Sequence, residues 1–398
     1  MVRKRSRKFW AITLLSVITG VGLLWFASVY FLSTAEAIRH AEAFLFRRMS
    51  VAQLSQQGEY RFFFITNRQT RNAAGDVGDR YSNERHRNLD FGRFDTEIMP
   101  SLGLGMLIDP TSWLQDEEIE LKRVETRSRE DFVSELSDQA SASKHGAVYI
   151  LLHGYREAHE SALRKTAFVG HVLDVDAPIV VFDWPGDQGG SPRGYRRAHR
   201  IASESAAELA DTIEMIVNEV RPKKIWLLAN SMGGQVVVDA FGRLYENADF
   251  ADNDTEIDHV VLTAPDVDHE QFNALFKKQL AALAQQLTVY VSSNDRALLV
   301  SRIINRGTRL GESTLSPDQF SEAVRLSELT GKGDRLVNLV DVTPVNRTRN
   351  FHNFSLETPE FFDDLFLRLT NSNMPNSRPI YHIETPEGAV YSVLTRAR

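Results

Sequence analysis

Apolar residues come first in one long uncharged stretch, then at helical and strand spacing, and then in short unbroken runs. The first apolar stretch, Phe9 to Ala35, holds 27 residues without a charge. It is longer than the roughly 20 residues needed to cross a bilayer. Residues 36–56 carry Ala41, Phe44, Leu45, Met49, Val51 and Leu54 at helical spacing and predict an amphipathic helix. Glu59 to Ile65 predicts a first strand, residues 69–90 a charged loop, and Phe91 to Met99 a second strand. Ile119 to Thr126 predicts another strand and Arg129 to Gln139 a helix.

From Ala147 the pattern alternates. Short apolar runs at Ala147–Leu152, Pro178–Trp184, Lys224–Ala229, His259–Ala264, Leu287–Ser293 and Leu336–Thr343 read as strands. Helical periodicity separates them at Glu157–Leu173, Arg196–Val220, Val236–Tyr245 and Glu270–Gln286, and a last helix follows at Pro359–Leu369. Strands without polar alternation are covered on both faces, so the pattern predicts an α/β fold with a mostly parallel central sheet. The predicted organisation is a basic N-terminus and transmembrane anchor at 1–35, a juxtamembrane helix at 36–58, the α/β domain at 59–370 and a C-terminal tail at 371–398, with a short strand around Tyr391.

Composition narrows the chemistry. A formal net charge of -7 gives the chain no nucleic-acid footprint. The absence of cysteine excludes disulfides, zinc–thiolate sites and a thiol nucleophile. Arg3, Lys4, Arg5, Arg7 and Lys8 precede the apolar stretch and predict a cytoplasmic N-terminus. The rest of the chain is then expected across a bacterial inner membrane, in the periplasm. Ala35-Glu36-Ala37 offers the alternative of signal cleavage and secretion.

The strand at Lys224–Ala229 runs into Asn230-Ser231-Met232-Gly233 and then a helix, the context of a nucleophile elbow. Small residues at Ala229 and Gly233 permit the tight turn that would expose Ser231 Oγ. A serine nucleophile needs a base, and the base an orienting acid. The ends of later strands supply Asp295 and His352, in the order Ser231, Asp295, His352. Asp266 and Asp268, one strand earlier, are alternative acids. Met232 N–H and, in His153-Gly154-Tyr155, Tyr155 N–H are the expected oxyanion donors. Gly186 to Gly194 forms a loop on the same rim. No zinc, dinucleotide or phosphate-loop motif is complete, so no cofactor or metal is expected. The expected partners are a small-molecule or lipid ester and the membrane; oligomeric state is not legible.

Six segments together resemble a bacterial group of α/β-hydrolases of undefined function. They are Ile65–Arg68, Phe91–Pro100, Leu151–Tyr155, Phe182–Pro185, Asn230–Gly233 and Ala264–Asp268, spread over roughly residues 60 to 360. The resemblance implies the α/β-hydrolase fold and a serine triad, and supplies no substrate. Members usually carry histidine before the nucleophile, where this chain has Asn230. The reading is a membrane-anchored serine hydrolase of carboxylic esters. A thioesterase, amidase or peptidase would use the same triad, and a catalytically inactive interaction module would keep only the fold.

Overall fold

The structure is a computed structural model that describes residues 59–73, 75–98, 119–247, 257–268, 282–292, 337–346, 354–370, 380–384 and 390–394, with the single residues 250, 272, 279 and 295. The expected span at 9–35, the helix at 36–56 and His352 lie outside them. Among the described residues no helix is long and apolar enough to cross a membrane.

The strands are β1 Glu59–Thr70, β2 Tyr81–Ile98, β3 Ile119–Arg127, β4 Ala147–Leu152, β5 Ile179–Asp183, β6 Lys224–Asn230, β7 Ile257–Thr263, β8 Ala284–Val291, β9 Val337–Asp341, β10 Ile380–Glu384 and β11 Val390–Leu394. They form an 11-stranded sheet in the order β10-β11-β9-β8-β7-β6-β4-β5-β1-β2-β3. Every pairing from β1 through β5, β4, β6, β7, β8 and β9 to β11 is parallel. Antiparallel pairs close both edges, β1–β2–β3 on one side and β10–β11 on the other.

Period-two alternation divides the apolar runs between two cores. Val148, Ile150, Leu152, Ile225, Leu227 and Ala229 face one core with helices α1 (Arg129–Ala142), α3 (Pro192–Met215) and α4 (Gly233–Glu246). Tyr149, Leu151, Trp226 and Leu228 face the other with α2 (His159–Leu173) and α5 (Pro359–Thr370). Each fully buried large side chain contributes about 1.5–3 kcal/mol. At the β3 edge the sequence Ile-Glu-Leu-Lys-Arg-Val-Glu-Thr-Arg is mostly exposed or half-buried. Its charges guard that edge against pairing with another chain.

This connectivity positions the site. From β4 the chain moves to β5 on one side, then returns to β6 on the other side of β4. The helices after β4 and β6 therefore cover opposite faces, and the carboxyl ends of these two neighbouring strands open into a crevice. Open α/β sheets bind ligands at such a switch point.

Three local expectations are corrected. Residues 69–90 are not simply a loop: β1 continues to Thr70 and β2 begins at Tyr81, pairing Arg68 with Arg85 and Thr70 with Tyr81. Arg68 is buried against Asp183 and Arg85 half-buried against Glu208, so both charged positions sit in strands. The helix expected to run to Gln286 has given way to β8 by Ala284. After α5 two strands, rather than one, extend the sheet edge.

Two buried histidines, His159 and His259, and half-buried His171 predict how stability responds to acid. Burial pushes His171 down to about 4, and burial with the Arg368 charge pushes His259 down to about 3. Burial also lowers His159, against the opposing pull of Asp183. An unfolded histidine titrates near ~6.5. Between that pH and the folded values the unfolded chain binds more protons, so stability falls as pH falls. His171 and His259 together give a slope of roughly 3 kcal/mol per pH unit between about pH 5.5 and 4.5. The urea midpoint of the purified chain should drop between pH 7 and 5; an unchanged midpoint would contradict this assignment.

Candidate active site

Ser231 follows β6 directly and holds φ at +52°. That left-handed conformation costs an L-residue roughly 1–2 kcal/mol. Five non-glycine residues share positive φ among the described ones: Arg156, Asp174, Arg221, Ser231 and Ala264. Asp174 and Arg221 end helical segments, where such a conformation is an ordinary cap. The other three follow β4, β6 and β7, so the remaining strain gathers on one rim of the sheet. Neighbouring backbones hold the elbow in place: Ser231 N–H donates to Thr263 O at 2.9 Å, and Ser231 O accepts from Asp266 N–H at 3.0 Å.

Glycines allow the segments to meet. A Cβ on Gly233 would lie 2.6 Å from His153 O, so α4 starts in contact with the end of β4. A Cβ on Gly154 would lie 2.9 Å from Ser231 Cβ and 3.1 Å from Asn230 Oδ1. The loop after β4 thus rests on the elbow. His153 Nδ1 donates to Gly154 O at 3.0 Å. The peptide is trans, so Tyr155 N–H points away from that carbonyl and from the His153 ring. Neither Tyr155 N–H nor Met232 N–H donates to another described residue. Two backbone N–H groups without a described acceptor therefore lie on the segments that adjoin Ser231.

Asn230 connects the elbow to the far end of the chain. Its Nδ2 donates to Thr263 Oγ1 at 3.0 Å and to Ser355 Oγ at 2.7 Å. Ser355 lies in the short helix Phe354–Glu357, three positions beyond His352. A ring nitrogen of histidine carries at most one hydrogen and could not donate to both hydroxyls as this amide does.

Asp295 is buried just beyond β8, two strands from β6, with its N–H on Ser292 O at 3.4 Å. Ser292 Oγ accepts from Asn346 Nδ2 at 2.8 Å, fastening the ends of β8 and β9 together. Asp266 is also buried, and its Oδ2 accepts from Tyr195 Oη at 2.5 Å. Asp268 sits half-buried after it, with its carbonyl accepting from Phe272 N–H at 2.9 Å.

Local periodicity does not reveal a buried ionic cluster beneath this rim. Arg68 Nε donates to both oxygens of Asp183 at 2.9 Å, and both side chains are completely buried. His153 Nε2 meets Asp183 Oδ1 at 3.0 Å, His159 Nδ1 meets Oδ2 at 2.7 Å, and Thr66 Oγ1 reaches Oδ2 at 3.1 Å. Burial alone would raise Asp183; Arg68 and the two histidines outweigh it and hold the carboxyl well below its usual range. Arg68 Nη2 also donates to Trp184 O at 2.7 Å and Glu157 O at 2.8 Å. The His153 ring stacks on Trp184, whose Nε1 donates to His153 O at 2.9 Å. The cluster braces the loop that carries Tyr155. Its one sequence signal was a lone aspartate in the apolar run Ile179–Trp184 facing a lone arginine after Ile65. Among the described residues no group of three or more histidines and carboxylates is arranged to hold a metal ion.

A family model described as an alpha/beta hydrolase of unknown function (DUF900) matches residues 128–365. No curated protein matches the chain. Among solved structures, a lipase-esterase related protein from Clostridium acetobutylicum is 13% identical, with 57% of this chain and 95% of that one covered at a TM-score of 0.26. A phospholipase, PlaB, from Legionella pneumophila, solved with thio-NAD, is also 13% identical, with 63% and 49% covered at a TM-score of 0.26. Likenesses this distant bear on neither mechanism nor substrate.

Proposed function

The chain belongs to this family of α/β-hydrolases of unknown function, and from that membership we propose that it is a membrane-anchored serine hydrolase acting on carboxylic esters. The observation that carries the reading is left-handed Ser231 at the end of β6, with the Tyr155 and Met232 amides beside it. A fold retained only for docking has no use for that strain.

In the mechanism, His352 takes the proton of Ser231 Oγ as it attacks the ester carbonyl, and Asp295 holds the imidazole in the required tautomer. The tetrahedral oxyanion accepts from Met232 and Tyr155 N–H. Such donors are each worth about 2.7–4 kcal/mol in comparable sites. Collapse expels the alcohol with the proton from His352. Water, deprotonated by the same histidine, then attacks the acyl-enzyme and frees Ser231. The Asn230–Ser355 contact supports His352 in this role, because it brings the segment just beyond that residue to the elbow.

Residues 9–35 anchor the enzyme, with the basic N-terminus retained in the cytoplasm and the hydrolase domain in the periplasm. One experiment tests activity and placement together: spheroplasts expressing the full chain are given a fluorogenic ester that cannot cross the inner membrane. Hydrolysis by intact spheroplasts that sediments with washed membranes is expected. Activity seen only after lysis would reverse the orientation, and activity released into the medium would point to signal cleavage. No hydrolysis before or after lysis would remove the esterase reading.

A further inference from the structure

The rim of the site carries charge of the opposite sign to the chain as a whole. Arg156, Arg193, Arg196 and Arg197 are all exposed. None of them forms an ion pair with a carboxylate of a described residue. Elsewhere on this surface some arginines are matched, Arg61 by Asp95, Arg85 by Glu208, Arg93 by Glu125 and Glu135, and Arg129 by Glu219, while Arg71, Arg87, Arg221 and Arg243 are exposed without an ion pair to a described carboxylate. What sets Arg156, Arg193, Arg196 and Arg197 apart is their grouping on two adjoining segments of a chain whose net charge is -7.

Their placement ties them to the reacting serine. Arg156 is the residue after Tyr155, exposed and with φ at +66°. Arg156 N–H donates to Gly186 O at 3.0 Å, and its Nη1 lies 3.4 Å from where a Cβ on Gly190 would stand. Tyr155 Oη donates to Gly189 O. The Gly186–Ser191 loop then feeds α3, capped by Ser191 Oγ on Gly194 N–H at 3.0 Å. On that first turn Tyr195 stacks edge-on against Tyr155, with centroids 5.5 Å apart, and bonds Asp266, whose N–H holds Ser231 O. With Tyr195 turned inward, helical spacing puts Arg193, Arg196 and Arg197 on the outer side of the same two turns. The nearby negative groups are occupied. Asp187 accepts from Gly189 N–H, Asp266 from Tyr195, Glu157 from Ser161 and Lys165, and Glu204 pairs with Arg200 and Arg85.

We propose that Arg156, Arg193, Arg196 and Arg197 receive an anionic group of the substrate, so that the enzyme selects esters bearing a phosphate or carboxylate. The inference rests on the serine hydrolase reading and names the substrate class of that site. Guanidinium groups suit both anions through paired N–H donors. Their exposed position makes the attraction sensitive to salt, since screening sets in over about 8 Å at physiological ionic strength.

The test compares two esters that differ in charge, both kept below their critical micelle concentrations so that no lipid surface is present. Dihexanoyl phosphatidate and 1,2-dihexanoylglycerol supply the phosphate pair. A dicarboxylic acid mono-4-methylumbelliferyl ester and its methylated counterpart supply the carboxylate pair. The wild-type chain should favour at least one anionic ester over its neutral partner by on the order of tenfold or more in kcat/KM, and less so in high salt. In the triple variant Arg193→Gln/Arg196→Gln/Arg197→Gln that ratio should fall by about tenfold, carried mainly by KM. Taking the ratio within each protein removes any general loss of folded enzyme. Equal turnover of both partners in wild type, or a ratio unchanged in the variant, overturns this inference and leaves the hydrolase reading standing. Recruitment to anionic vesicles without preference for the monomeric anionic esters overturns it as well. No turnover of any of the four esters removes the hydrolase reading, and this inference with it.

Discussion

Ser231→Ala abolishes ester hydrolysis, with kcat reduced by at least ~10⁴-fold. Loss of the nucleophile in a serine triad can cost about 10⁶ in kcat, and what remains comes from the oxyanion donors and substrate binding. The substitution removes one oxygen. Alanine meets the same penalty as serine at φ +52°, and the three backbone bonds around Ser231 do not involve its side chain. The variant should therefore keep the thermal midpoint of the wild type while losing turnover of 4-nitrophenyl butyrate. A folded variant with near wild-type turnover would mean that another residue attacks the ester.

The second large effect separates the two buried carboxylates. Asp295→Asn should lower kcat by on the order of 10⁴, because an amide presents the histidine with the wrong tautomer and leaves the imidazolium unsupported. Asp266→Asn should do far less. Its role in the structure is to accept from Tyr195 Oη and to hold the elbow through its own N–H, and an asparagine oxygen and backbone can do both. Side-by-side kinetics of the two variants decide the matter. The reverse ranking would make Asp266 the acid and leave Asp295 to fasten the end of β8.

The parts legible in the sequence were those with local signatures. β4 and β6 are short apolar runs between helical segments, and burial on both faces is written into every residue of Ala147–Leu152. The elbow was legible for a related reason: a small residue, a serine and a glycine must follow a strand for the turn to close. What escaped is written in pairs far apart in the chain. Residues 69–90 look like a solvated loop, yet Arg85 within them meets Glu208 across 123 positions, and Arg68 just before them meets Asp183 across 115. No window of periodicity contains both partners, and a charged residue whose partner is unseen reads as surface. The bond from Tyr195 to Asp266 spans 71 positions and was hidden for the same reason. So was the arginine rim, whose residues stand on two segments that only the fold brings together.

The central claim is that Ser231 is an activated nucleophile, and a fluorophosphonate probe tests it without knowledge of the substrate. The full chain would be treated with the probe, digested, and its peptides weighed. A single adduct on the peptide that contains Ser231, lost in Ser231→Ala, is the expected result. An unlabelled folded chain, or an adduct on a different serine that persists in the variant, would contradict it.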